Sequence, residues 1–332
     1  MTRLLQRRFI FVLFAYVLAA SYAVVSAFPS KHTRRGGLCD EADFRIPDNS
    51  WDSHLHVLNP IDYPIEEGSE YTPGVYTVWD NAVFENRLGP EHVVLIQPSI
   101  YGTNNTLLLE SLRGYGPDRA RGVIVFNIQD ISMAELNQWH AWGVRGVRIN
   151  FLSTGETPPA DELKRTLSEY SNMVKSLGWV VQLYVAMDAI LSIEDFLPSL
   201  GVQIVFDHIG VPDIPEQNST KSYNPSDIAG FDSMVRLLQK NVAWVKISGP
   251  YRISNVQGPI YHELDPLIFE LFRVAPSRLV YASDWPHTRF EGLDIKPWTN
   301  HLLDLTEGQA NVREGLFRDN AMVLWQAEDN QL

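Results

Sequence analysis

The chain has 332 residues, of which 45% are hydrophobic, 20% charged and 11% aromatic. That is an ordinary globular composition with enough apolar material for one large core, and it excludes a disordered or collagen-like chain. The formal charge of −13 repels phosphate backbones and argues against a nucleic-acid partner.

At the N-terminus, Arg3, Arg7 and Arg8 precede an apolar run that starts at Phe9, and Val25-Ser26-Ala27 supplies small residues. The pattern predicts a secretory signal peptide over residues 1–27, and hence a secreted or secretory-pathway protein. The alternative is an uncleaved membrane anchor, because the run is nearly long enough to cross a bilayer. Cleavage removes three Arg and no acid, taking the charge from −13 to −16. Residues 28–46 read as a linker, 47–326 as a single domain and 327–332 as a tail. Cys39 is the only cysteine, so no intrachain disulfide can form. Sequons stand at Asn104 and Asn218, and Asn218, in the polar stretch "EQNSTKSYN", is the better glycan acceptor.

From residue 50 onward, β-rich apolar runs alternate with stretches of helical spacing. The runs are Trp51–Val57, His92–Gln97, Arg121–Asn127, Val144–Phe151, Val180–Val185, Val202–His208, Val242–Ser248 and Arg278–Asp284. Helices are predicted over Asp161–Leu177, Ile228–Gln239 and Pro259–Val274, with a helical cap over 300–326. Eight strand–helix units predict an α/β fold of the (β/α)8 TIM-barrel type. A doubly wound open sheet is the alternative, but no Gly-rich dinucleotide fingerprint follows the first strand.

In such a barrel the chemistry gathers where strands end. His54 and His56 lie two apart in "WDSHLHV", so alternation puts both on one strand face. Gln97 and Ser99 follow strand two, Arg148 and Asn150 end strand four, and Tyr184 lies on strand five. His208 ends strand six, Lys246 and Ser248 end strand seven, and Asp284 ends strand eight. A lone histidine is more often a satisfied structural residue, but polar groups at nearly every strand end are expensive unless they form one site. His54, His56, His208 and Asp284 could ligate a divalent metal. The same set could instead hydrolyse a carbonyl compound directly, with Asp284 as base and the imidazoles polarising the carbonyl. Arg148 and Arg252 offer guanidinium forks that match carboxylates.

Seven blocks in order, "WDSHLHV", "IQPSIYGTNNTLLLESL", "RGVRINF", "VQLYV", "VFDHIG", "VKISGPYR" and "YASDWPHT", resemble the amidohydrolase superfamily. The closer likeness is to its branch of 2-pyrone-4,6-dicarboxylate lactonases and related lactone hydrolases, and it runs over residues 47 to 326. The resemblance implies that Asp284 activates water beside His54, His56 and His208, and that Arg148, Tyr184, Arg252, Ser99 and Tyr71 contact substrate. Two-metal members need a strand-four Lys or Glu and a strand-five His. Arg148, Asn150 and Tyr184 stand there instead, so no binuclear centre is expected. The resemblance implies no obligatory metal, with room for one divalent ion, Zn or Mn, on His54, His56, His208 and Asp284. No further basic residue near Thr154 matches the family pattern, which puts a second substrate carboxylate in doubt.

The expected function is hydrolysis of a lactone or related cyclic ester, with a small, carboxylate-bearing and aromatic-derived molecule as the partner. The alternatives are a metal-dependent decarboxylase of an aromatic acid and a catalytically silent barrel that only binds.

Overall fold

The computed structural model describes residues 46–69, 71–152, 158–215, 223–256 and 258–327. The predicted signal peptide, most of the linker, Asn218 and residues 328–332 lie outside them. No helix among the described residues is long and apolar enough to cross a membrane.

Eight parallel strands follow one another in chain order around a nearly closed barrel. They are β1 (Trp51–Leu55), β2 (His92–Ile96), β3 (Ala120–Ile124), β4 (Val144–Asn150), β5 (Val180–Tyr184), β6 (Ile204–Phe206), β7 (Ala243–Ile247) and β8 (Leu279–Tyr281). Helices α1 (Val78–Leu88), α2 (Thr106–Tyr115), α3 (Met133–Ala141), α4 (Ala160–Val174), α5 (Phe231–Gln239), α6 (Asp265–Val274) and α7 (Lys296–Leu305) cover the outside. The strands read as continuous apolar runs because both of their faces are buried. Their alternate residues separate accordingly. Val93 and Leu95 join the large cluster under the helices. Val94 and Ile96 join an inner cluster with Trp51, Trp244 and Trp325. Trp325 closes this inner layer from the C-terminal segment, donating its indole N–H to Ser53 Oγ at 3.1 Å.

Helix starts are written locally. Thr77 and Asp80 form a capping box on α1, and Ser132 and Glu135 form another on α3. The predicted helices hold, with shifted edges. The first spans α4 and a 3-10 turn to Leu177. The second starts only after Gly230, whose φ is +88° and where a Cβ would come within 2.0 Å of the Met187 carbonyl oxygen. The third starts at Asp265 rather than Pro259, because Tyr261 turns left-handed at φ +60° and Pro266 sits in the first turn. The predicted cap begins earlier, at Lys296, and breaks at left-handed Gly308 before its last turns.

Two irregularities position the site. β1 carries a bulge, since Asp52 pairs with Val93 but Leu55 pairs with Leu95, three residues facing two. Trp51 therefore points inward and Leu55 outward, although they are four apart. Without the extra residue, His54 and His56 would share the outward face of Asp52. The second irregularity is the seam between β8 and β1, where no regular ladder forms. The Ser283 N–H donates to Asp52 Oδ1 (2.8 Å), the Asp284 N–H to the His54 carbonyl (2.9 Å) and the His56 N–H to the Trp285 carbonyl (2.8 Å).

Candidate active site

The strand ends bring His54, His56, His208, Asp284, Arg148, Tyr184 and Arg252 to one polar cluster at the C-terminal mouth. His54 is the penultimate residue of β1 and His56 lies just past it. β6 ends at Phe206, and His208 opens a 3-10 turn with φ +48°. β8 ends at Tyr281, and Asp284 follows in a left-handed conformation at φ +62°. Left-handed backbone at Ile209 and Val211 as well marks a site held against local preference, at about 1–3 kcal/mol per residue.

Each imidazole is anchored at Nδ1 and offers Nε2 to the cluster. His56 Nδ1 lies 2.8 Å from the Ile96 carbonyl, which can only accept, so His56 Nδ1 carries the proton and Nε2 a lone pair. His54 Nδ1 lies 3.3 Å from Asp207 Oδ1 and 3.3 Å from Lys246 Nζ. His208 Nδ1 lies 2.9 Å from Ser248 Oγ. The Nε2 atoms of His54 and His56 face each other at 3.3 Å. Burial, with Arg148 beside it, lowers the His56 pKa to about 4, and burial lowers His208 to about 4. Burial and Lys246 hold His54 well below its usual value. The imidazoles are therefore neutral near pH 7.

The two oxygens of Asp284 differ. Oδ2 accepts from Arg252 Nε at 2.5 Å and from the Tyr251 hydroxyl at 2.7 Å. Oδ1 is buried with no hydrogen-bond partner, 3.7 Å from His54 Nε2 and 3.8 Å from His56 Nε2. Burial opposes the charge, but Arg252 above all outweighs it and holds the carboxyl well below the usual carboxylate range.

Beneath the imidazoles lies a network to which sequence reasoning gave no role. Lys246, fully buried on β7, donates to Gln182 Oε1 at 2.7 Å and lies 3.4 Å from Asp207 Oδ1. Gln182 donates to Asp207 Oδ2 at 3.0 Å, and Arg148 Nε is 3.5 Å from the same oxygen. Burial brings Lys246 down to about 8. Burial opposes ionised Asp207 too, but Lys246 and His54 keep it well below the usual range. Arg148 also donates to the Gln97 carbonyl (3.2 Å) and lies over the Tyr184 ring, and Tyr184 meets His208 edge-on.

Ser99 is the exposed first residue of a 3-10 turn after β2 whose Ile100 and Tyr101 are buried, and Tyr71 packs on the Leu58–Ile100–Tyr101 cluster beneath Arg289. No hydrogen bond or ion pair among the described residues joins either to the histidines. Asn104 is exposed beyond β2, where its side chain accepts from the Thr106 hydroxyl at 2.7 Å.

The sequence model of the amidohydrolase family matches residues 51–326, which takes in every strand and every member of the cluster. The chain belongs to the amidohydrolase family. This amidohydrolase is 30% identical over 299 residues to the 2-pyrone-4,6-dicarboxylate hydrolase of Comamonas testosteroni, covering 86% of this chain and 93% of that one. It is 30% identical over 290 residues to the 4-sulfomuconolactone hydrolase of Hydrogenophaga intermedia, covering 83% and 88%. Among solved structures, a probable 2-pyrone-4,6-dicarboxylic acid hydrolase from Acinetobacter baumannii, with citric acid bound, superposes with a TM-score of 0.68 at 25% identity. That match covers 84% of this chain and 99% of the other. An amidohydrolase of Burkholderia multivorans solved with zinc shares the fold, with a TM-score of 0.63 at 18% identity over 83% and 99% of the two chains.

Several residues of this amidohydrolase site had weak signals in the sequence. Asp207 adjoins His208 in "FDHIG", Tyr251 adjoins Arg252 in "GPYR", and His287 follows Asp284 in "SDWPH". The Tyr251 hydroxyl bridges Asp284 to His287 Nδ1 at 3.2 Å.

Proposed function

We propose that this amidohydrolase opens the ring of a lactone that bears a carboxylate or similar anionic group, with Asp284 as general base. The observation that carries the reading is the divided Asp284 carboxylate. Oδ2 is held by Arg252 and Tyr251, while Oδ1 is left to receive a proton beside two imidazole nitrogens. Water adds to the lactone carbonyl carbon as its proton passes to Oδ1. The ring C–O bond then breaks, and the departing oxygen takes the proton back, leaving a hydroxy acid.

Anion recognition follows from charge. Three cations, the buried Arg148 and Lys246 and the part-buried Arg252, face two buried carboxylates, Asp207 and Asp284, which leaves one positive charge among them in a chain of −13. Arg148 Nη2 and Arg252 Nη1 are bonded to no described residue, so each keeps a donor for substrate. The surplus charge also stabilises the developing oxyanion. Direct hydrogen bonding to that oxyanion from His56 is set aside, because its Nε2 carries a lone pair and no proton.

The same residues fit a divalent ion. His54, His208 and Asp284 bring ligand atoms within 4.8 Å of one another, His56 Nε2 adds a donor 3.3 Å from His54 Nε2, and the orphaned carboxylate oxygen completes a nitrogen-rich set suited to Zn or Mn. His54, His56 and His208 through Nε2 and Asp284 through Oδ1 would hold it, and a bound ion would acidify water and polarise the carbonyl. Passage through the secretory pathway, cleavage near Ala27 and a glycan on Asn218 belong to the same proposal. They rest on the sequence pattern, and N-terminal sequencing with glycosidase treatment of the secreted protein tests them.

The test of function is ring opening of a panel of anionic lactones by the purified protein and by Asp284→Asn. Turnover should fall by about 10²–10⁴-fold in the variant. An amide keeps an oxygen for Arg252 and Tyr251, so the circular dichroism should not change. A folded variant with near-normal turnover would remove Asp284 from the mechanism.

A further inference from the structure

A second group of metal-ligating side chains lies among the outer helices, away from the histidines of the mouth. His262 and Asp265 are three apart on the turn that leads into α6, and His301 sits midway along α7. Asp265 presents one oxygen to each imidazole: Oδ2 is 3.2 Å from His262 Nδ1 and Oδ1 is 2.6 Å from His301 Nε2. One ligand atom from each residue lies within 4.8 Å of the other two. The two rings stand perpendicular, 87° apart, with centroids 4.7 Å from each other.

We propose that His262, Asp265 and His301 bind a borderline divalent transition ion such as zinc, and that this ion ties the connection after β7 to helix α7. Tetrahedral zinc with Zn–N bonds of ~2.0–2.1 Å sets neighbouring ligand atoms ~3.3 Å apart, which the 3.2 Å pair already matches and to which the 2.6 Å pair would have to open. Small side-chain rotations would turn both hydrogen bonds into metal bonds. No Lys or Arg among the described residues pairs with Asp265, so no fixed cation competes for the carboxylate. Two imidazoles and a carboxylate are a frequent ligand set for this class of ion. The His262 side chain is 69% exposed, which leaves a fourth position for water and an entry path. The His301 side chain is 10% exposed and fixes the inner end. A simple hydrogen bond would return little for ordering so exposed an imidazole.

The consequence reaches the mouth through the chain. The connection from Ser248 to Asp265 carries Tyr251 and Arg252, both bonded to Asp284. An ion at its far end would fix that segment against α7 without touching the reacting groups.

The test is zinc content after chelator stripping, reloading with zinc and dialysis. The proteins are the full chain, His262→Ala, Asp265→Asn and Asp284→Asn. His262 is exposed, so its loss leaves folding intact. His262→Ala and Asp265→Asn should each bind one equivalent less than the unchanged chain, whereas Asp284→Asn should keep that equivalent. Cobalt in place of zinc should show a visible d–d band that His262→Ala removes. Equal zinc content in the unchanged chain and His262→Ala would overturn the proposal, as would an affinity difference of less than threefold between them. None of these readings depends on lactone hydrolysis, so failure here leaves the assignment of the mouth untouched.

Discussion

Arg252→Met separates substrate recognition from base positioning. The guanidinium lies on Asp284 Oδ2 at 2.5 Å, reaches Thr288 through Nη2 and stacks over Tyr251 and Phe290. Met preserves the unbranched stem and part of that packing. The cluster goes from three cations against two carboxylates to two against two, and Asp284 keeps the Tyr251 hydroxyl at 2.7 Å. Asp284 loses the cation that chiefly holds it ionised, so the expected loss of stability is about 3–5 kcal/mol, less what the Tyr251 hydroxyl retains. Recognition should suffer too. A charge-assisted hydrogen bond to a substrate carboxylate contributes about 1.5–3 kcal/mol, which corresponds to about 10–150-fold in kcat/KM. The assay compares an anionic lactone with its neutral methyl ester, for the unchanged enzyme and the variant. Both substrates should lose whatever the base loses with its guanidinium partner, and the anionic lactone should lose that factor in addition, narrowing the preference between them. Equal losses on both substrates would refute an anion-binding role and reduce Arg252 to a support for Asp284.

Glu85→Gln tests a buried carboxyl away from the mouth. Burial raises the Glu85 pKa to about 8 despite its ion pair with Arg119. The folded state keeps this proton to higher pH than the unfolded chain does. Stability is therefore fully present below the unfolded value of 4.5 and is lost as pH rises towards about 8. Gln has no proton to lose, so the variant should gain about 3–4 kcal/mol on the unchanged chain between pH 5 and 8. Parallel urea-unfolding curves for the two proteins across that range would contradict it. Gly249→Ala tests the placement of His208. Gly249 has φ +55°, and a Cβ there would meet His208 Nδ1 at 2.7 Å, where Ser248 Oγ now binds. The substitution should cost about 1–2 kcal/mol in backbone strain and lower kcat/KM by about tenfold or more. Unchanged kinetics would show that the imidazole position does not matter.

The strands and the polar residues that cluster at their ends were legible for the same reason: the parallel strands are short, apolar and β-branched, and polar residues at their ends stand out against them. The inward direction of His54 and His56 was not legible. It depends on the bulge, and the bulge exists only in the pairing of Asp52–Leu55 with β2, which a single strand does not encode. Lys246 could be seen at the end of β7, but its partners Asp207, just past β6, and Gln182, on β5, meet it only when the barrel forms. The left-handed backbone at Ile209, Val211 and Asp284 runs against local preference, so no propensity argument finds it.

The seam between β8 and β1 ties chemistry to architecture in an unequal way. Two of its stitches, from Asp284 N–H to the His54 carbonyl and from His56 N–H to the Trp285 carbonyl, are made by main-chain atoms of residues whose side chains meet at the mouth. Any amino acid except proline can supply those donors. The side chains at 54, 56 and 284 can therefore be exchanged while the ring of strands stays shut. A scaffold fastened in this manner can trade one reaction for another by point substitution, without passing through an unfolded ancestor.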